Sequence, residues 1–367
     1  MFGDRAIGSI GLASPPMTNP WGSSRRAALA LFALMVAAVG CASGPPARTG
    51  AAASDPGGVD PAASFHGWSA LVMRQRNQRV TIVPAIGRVM GFDLVEDGVP
   101  AGEGPFWHHP QIGPALLPDG EGWINHGGDR AWPAPQSDWP RFSGRGWPPP
   151  ATFDAQPYTA SVQQSAVEMV SAVDPAYGIR VHRRVSLVEE GLLIDTRYEK
   201  VQGDPVRVAV WTISQLDPPE RMFVRLPAAS TFAGGFRSQL PAPPRDARVD
   251  GRLLSLARDP KDKTMLVSDG DALMWLGQRQ ALVIETLSQS PPPSAGEPRA
   301  WPGGAHAQIY TSPDGDQRYV ELELFGPLAD LRVGQSCSML VRYRLLRRAE
   351  ADPLREAQRI FAEGLTN

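Results

Sequence analysis

Cysteine is almost absent from this chain of 367 residues, which holds only Cys41 and Cys337. With no cysteine cluster, and no His-x-His or His-Glu-x-x-His among His66, His108, His109, His126, His182 and His306, a transition-metal site has no sequence signature. Asp314-Gly315-Asp316 is too short for a calcium loop and reads as a turn. The chain also lacks a Gly-x-Ser-x-Gly elbow and a phosphate-cradling loop followed by a helix, so no metal and no cofactor are expected. Lysine occurs only at Lys200, Lys261 and Lys263 and no basic tract is present, while the formal net charge is −2. Nucleic acid is therefore not an expected partner. No apolar run reaches the roughly 20 residues that a membrane span needs. What remains, 42% hydrophobic and 20% charged residues, is the composition of an ordinary globular body.

The N-terminal region has an address. Ser23 to Cys41 reads SSRRAALALFALMVAAVGC, a basic pair, an apolar run from Ala27 to Val39 and a small residue before cysteine, the three-part layout of an export signal. Ala38-Val39-Gly40-Cys41 resembles the lipobox of bacterial lipoproteins, with alanine in place of the more usual leucine. That resemblance implies cleavage before Cys41 and lipidation of its thiol. Ala42 is similar to the residue that sorts lipoproteins to the outer membrane of Gram-negative bacteria, which places the expected location in the cell envelope, facing the periplasm. A lipidated Cys41 leaves Cys337, in the strand-like run QSCSMLVRYRLL, as a buried thiol without a disulfide partner. The predicted organisation is a signal over 1–40, a tether rich in Ala, Gly, Pro and Ser over 41–64, a β body over 65–347 and a terminal helix over 348–367.

Within the body, short β-branched and aromatic runs recur between turn residues, and Ser312-Pro313-Asp314-Gly315-Asp316 joins two of them as a hairpin. About fourteen such runs exceed an immunoglobulin-sized sandwich, so one large antiparallel β-sandwich is the predicted all-β fold. Near the end, Asp352-Pro353 supplies an N-cap and first-turn proline, and Leu354, Ala357, Ile360 and Phe361 recur at helical spacing. A short C-terminal helix is predicted there.

The densest chemistry lies in Trp123 to Pro150, WINHGGDRAWPAPQSDWPRFSGRGWPPP. Tryptophan offers a broad apolar face with one N–H donor, and proline stiffens the backbone, so such a segment stacks a flat ligand with little ordering cost. The same rings equally serve to cap the end of a sandwich core. Gly127-Gly128 points to positive φ or close backbone approach, with Asp129 and Arg130 paired to fix the loop. Arg88 and Arg130 are alternatively planar donors to a ligand.

Several motifs together are similar to a family. Pro84-Ala85-Ile86-Gly87-Arg88, the Gly-Gly-Asp-Arg-x-Trp-Pro-x-Pro loop at Gly127 to Pro135, Trp147-Pro148-Pro149-Pro150, Val210-Trp211-Thr212-Ile213-Ser214-Gln215, Tyr319-Val320-Glu321-Leu322-Glu323 and Leu331-Arg332-Val333-Gly334-Gln335-Ser336 stand in order. The set resembles an uncharacterised bacterial family associated with the galactose-mutarotase-like supersandwich, over approximately Trp68 to Arg347. The resemblance implies a sugar-sized groove on one sandwich face. Mutarotases and aldose epimerases use a glutamate as base and a histidine as acid on one sugar. Here alternation sets Tyr319, Glu321, Glu323 and Phe325 on one strand face, making Glu321 and Glu323 the counterparts of the base. The middle strand carries Gln215 and no histidine, so His126 is the substitute acid.

Three functions follow from these readings. The leading one is an envelope lipoprotein that binds carbohydrate through Trp132, Trp139 and Trp147 as stacking faces. Asn125, Asp129, Arg130, Arg88 and Gln215 are its hydrogen-bonding groups. The second is an aldose epimerase using Glu321 or Glu323 with His126. The third is an envelope docking protein whose aromatic segment meets a protein partner.

Overall fold

The computed structural model describes residues 58–96, 99–100, 104–241, 243–290 and 300–363. The export signal, Cys41 and the tether up to residue 57 lie outside the described residues. Among the described residues, two antiparallel sheets of twelve and ten strands face one another. The first sheet runs Gly58–Phe65, Trp68–Gln75, Gln78–Val83, Arg88–Glu96, Gly128–Ala134, Val206–Leu216, Val320–Phe325, Ala307–Thr311, Thr264–Ser268 and Arg237–Ser238. Val99–Pro100 and Ala329–Leu331 add to its flanks. The second runs Arg248–Asp250, Leu253–Leu256, Arg221–Arg225, Ala272–Leu276, Gln280–Ser290, Ser336–Arg347, Gly191–Lys200, Ile179–Val188, Ala166–Val173 and Thr159–Gln163.

Side-chain alternation explains why these segments pair as they do. In Ser336–Arg347, Cys337, Met339, Val341, Tyr343 and Leu345 are buried while the intervening residues are partly exposed, the signature of a strand with one face on a core. Gly191–Lys200 repeats the pattern, sending Leu192, Ile194, Thr196, Tyr198 and Lys200 inward. Val206–Leu216 instead is buried at nearly every position, because the first sheet is covered on its outer face as well. Burying each such aliphatic side chain contributes about 1.5–3 kcal/mol.

The alternation also carries charge inward. Arg183, on Ile179–Val188, crosses the core to an ion pair with Asp129 on the opposite sheet. Asp129 Oδ2 also accepts hydrogen bonds from Tyr343 at 2.6 Å and Ser214 at 2.9 Å. Tyr198 donates to the carbonyl of Trp132 at 2.8 Å. The strand Gly128–Ala134 is thus tied from beneath by three side chains of the second sheet. Buried charges of this kind persist only when paired and hydrogen-bonded.

The C-terminal helix Pro353–Glu363 packs Ala357, Ile360 and Phe361 on the outer face of the second sheet, against Phe223, Met274 and Val283. Asp352 caps it by accepting from the Arg355 N–H at 2.8 Å.

Two details differ from the sequence expectation, and two more are decided only by the structure. Residues 127–135 were expected as a loop, but Gly128–Ala134 is a strand beside Val206–Leu216, because its alternating residues divide between core and outer face. Gly58–Phe65, in the composition of a tether, pairs with Trp68–Gln75 as an edge strand, which needs backbone hydrogen bonds more than burial. Thr159–Gln163 and Ala166–Val173 form a hairpin that turns at Gln164, whose φ is +54°. Short helices at Trp139–Ser143 and Ala151–Asp154 occupy the proline-rich stretch.

Candidate functional site

The central five strands of the first sheet present one continuous outer face. Register places Trp211 opposite both Trp132 and Phe325, Ile213 opposite Arg130 and Glu323, and Gln215 opposite Gly128 and Glu321. Gln308 and Tyr310 lie opposite Glu323 and Glu321, and Met265 lies opposite Tyr310. With a strand period of two, these residues share a side. The proline-rich segment after Ala134 then folds back so that Trp147 joins the wall. Of these, all but Gly128, Ile213, Gln215 and Phe325 line a cleft of about 340 Å3.

One wall is aromatic. Trp132 meets Trp211 edge-to-face at a centroid distance of 5.4 Å, and Trp123 meets Trp147 at 4.9 Å. Trp139 stands behind them, 0% exposed, its indole N–H donating to the Pro133 carbonyl at 2.8 Å. It is a packing residue, and the expectation that it stacks a ligand is corrected. Tyr310 and Tyr319 stand on the other wall, their ring centroids 5.9 Å apart.

The polar groups converge on that aromatic frame. Arg130 is 1% exposed, stacks its guanidinium 4.4 Å from the Trp132 ring and donates from Nη2 to Glu321 at 2.8 Å. The expected Asp129–Arg130 pair is therefore not formed. Neighbours in a strand point to opposite faces, so Asp129 faces the core and Arg130 the cleft. Among the described residues, Arg130 Nη1 and Trp147 Nε1 have no hydrogen-bond acceptor. Glu323 is 1% exposed, and its Oε2 accepts from the Trp211 indole at 2.6 Å and from Gln308 at 2.8 Å. Burial, reinforced by the charge of Glu321, holds its carboxyl far above the usual range, against the opposing effect of those two hydrogen bonds.

Asp154, at the end of Ala151–Asp154, supports the frame. Its Oδ1 accepts from Arg88 at 2.7 Å and from the Trp132 indole at 2.9 Å, and its Oδ2 from the Trp123 indole at 2.9 Å. One carboxylate orients two of the cleft tryptophans.

The remaining expected residues fall elsewhere. Arg88 is 0% exposed and holds Asp154 and the Gly127 carbonyl, so it is not a ligand donor. Burial draws its pKa down to about 10, partly offset by Asp154. Gln215 lies on the same side as Glu321 but is fully buried and does not reach the cleft lining, with neither amide atom hydrogen-bonded among the described residues. Asn125 donates to Gln317 at 2.8 Å on the far side of Trp123. His126 packs against Trp68, and burial together with Arg88 lowers its pKa to about 3. A neutral imidazole away from the cleft wall has no acid proton to give there.

Sequence reasoning did not single out Asp154, Gln308, Tyr310 or Lys263. Only Trp211 and Tyr319, inside quoted motifs, carried a signal. Asp154 is separated from Trp123 and Trp132 in sequence and nothing local marks it.

No protein-family model matches the sequence, and a search among curated proteins returns no match. Solved structures do resemble it. A galactose mutarotase-like protein from Lactobacillus casei aligns with a TM-score of 0.54 at 9% identity, over 75% of this chain and 99% of that one. An aldose 1-epimerase-like protein from Klebsiella pneumoniae aligns with a TM-score of 0.53 at 9% identity, over 83% of this chain and 86% of that one. The fold is that of the galactose mutarotase-like β-sandwiches.

Proposed function

We propose that the cleft binds carbohydrate, and that a lipid on Cys41 holds the domain at the cell envelope. The observation that carries the first part is the mixture in one small cleft of aromatic walls, donors without acceptors on Arg130 and Trp147, and carboxyl acceptors on Glu321 and Glu323. A sugar presents apolar ring faces and a rim of hydroxyls, and such a lining meets both. Small-molecule pockets span roughly 300–1,000 Å3, so the cleft suits a single sugar ring. Calorimetric titration of the full chain with a panel of monosaccharides and envelope glycans tests the reading. Trp147→Ala and Glu321→Gln should each weaken the binding roughly tenfold or more while unfolding stays cooperative. Unchanged affinity in both would remove the cleft from consideration.

The carboxyl pair favours a second reading, aldose epimerisation. Glu323, whose pKa burial raises to about 8, stands two residues from Glu321 on one strand face, so two carboxyl groups in different surroundings line the same cleft without a histidine. In ring opening, Glu321 would take the anomeric hydroxyl proton and Glu323 would protonate the ring oxygen. Exchange spectroscopy on the anomers of glucose and galactose decides it, with no rate above solvent ending the claim.

A further inference from the structure

Trp123 borders a second depression as well as the cleft. This depression, of about 560 Å3, is lined by Trp123, Leu116, Leu117, Asn125, His109 and Gln317 among others. The two share Trp123, and Asn125 and Gln317 of the second stand two residues along the chain from Trp123 and Tyr319 of the first. Trp123 is held in place by its indole hydrogen bond to Asp154, so it is a fixed partition. Asn125 is 5% exposed; its amide donates to Gln317, and among the described residues its Oδ1 has no donor. Gln317 and Asn125 supply a polar edge, and half-buried Leu116 with exposed Leu117 an apolar rim. This repeats, with aliphatic groups, the two-sided lining of the first cleft.

From this geometry we infer that the ligand is an oligosaccharide of at least two units, one ring in the aromatic cleft and the next beyond Trp123. The inference rests on the carbohydrate reading above and specifies its substrate class. A hydroxyl of the second unit would supply the donor that Asn125 Oδ1 lacks, and the leucine rim would lie against its ring, covering apolar surface that Leu117 otherwise leaves in water. An unsatisfied buried acceptor costs free energy until such a donor arrives.

The test is calorimetry on the full chain with glucose, galactose, mannose and N-acetylglucosamine, each beside its own β-linked disaccharide. The expected result is one sugar whose disaccharide binds about tenfold tighter than the monosaccharide, equivalent to about 1.4 kcal/mol. Leu116→Arg, which fills the second depression, and the milder Gln317→Ala should both bring the disaccharide down to the monosaccharide value and leave the monosaccharide unchanged. Equal affinity for both sizes, or variants that weaken both alike, would overturn the two-unit site while the single-ring cleft stands. A panel in which neither size binds removes the carbohydrate reading itself and this inference with it.

Discussion

At the residue scale, Glu323 has the most testable consequence. Its folded-state pKa lies above that of an unfolded glutamate, rising to about 8. Between the ordinary carboxyl value and about pH 8 the folded protein therefore holds a proton that the unfolded chain has released. Stability contributed by this group is present at low pH and is lost as pH rises through that window. Glu323→Gln keeps an oxygen acceptor for Trp211 and Gln308 and removes the titration. Thermal melts from pH 5 to pH 9 should show a flatter dependence in the variant and a relative gain at the alkaline end; parallel curves would contradict the buried acid. Asp154 predicts the opposite kind of change. Asp154→Ala leaves Arg88 as a buried charge without its carboxylate and frees two indole donors. Loss of one partner of a buried pair typically costs about 3–5 kcal/mol, measurable by urea unfolding. A loss below 1 kcal/mol would show that Arg88 finds other compensation.

At the scale of elements, one close backbone contact bears on the strand that carries Arg130 and Trp132. Gly127 and Gly128 both have positive φ, at +85° and +72°. A Cβ at Gly127 would stand 2.1 Å from the Trp107 carbonyl oxygen, so both conformation and contact exclude a side chain. Gly127→Ala should cost more than the roughly 1–3 kcal/mol of backbone strain alone, and should shift the intrinsic tryptophan fluorescence because Trp107 must move. The C-terminal helix is a separate patch on the opposite side of the sandwich. Phe361→Ala should destabilise the fold by about 3 kcal/mol through loss of packing on Phe223 and Met274, read by urea unfolding, while leaving saccharide affinity untouched. Altered affinity in that variant would show coupling between the helix and the first sheet.

At the scale of the whole molecule, the proposed anchor makes its own prediction. Expressed in a Gram-negative host, the wild-type chain should incorporate labelled palmitate and sediment with membranes, and Cys41→Ser should do neither. Labelling of the serine variant would place the lipid elsewhere. Cys337 is not an alternative site, because it is buried within Ser336–Arg347 and burial pushes its thiol up to about 12.

The sequence by itself determined the class of fold, and its reasons are local. Alternation in segments such as Ser336–Arg347 and helical spacing after Asp352 are read from residues close together in the chain. It also placed Glu321 and Glu323 on one face, since a strand period of two depends on nothing distant. Only the tertiary structure decided which neighbours those faces would meet. Trp132 and Trp139 look alike in sequence, yet one borders the cleft and the other is sealed behind it, because the chain from Pro135 to Pro150 folds back over the sheet. Asp129 and Arg130 are adjacent and complementary, yet the strand sends one to Arg183 across the core and the other to Glu321 across the cleft. Asp154 emerged only when residues far apart in sequence were brought within hydrogen-bond distance. Pairing across a sheet and between sheets is set by packing over the whole body, and short-range pattern carries no record of it.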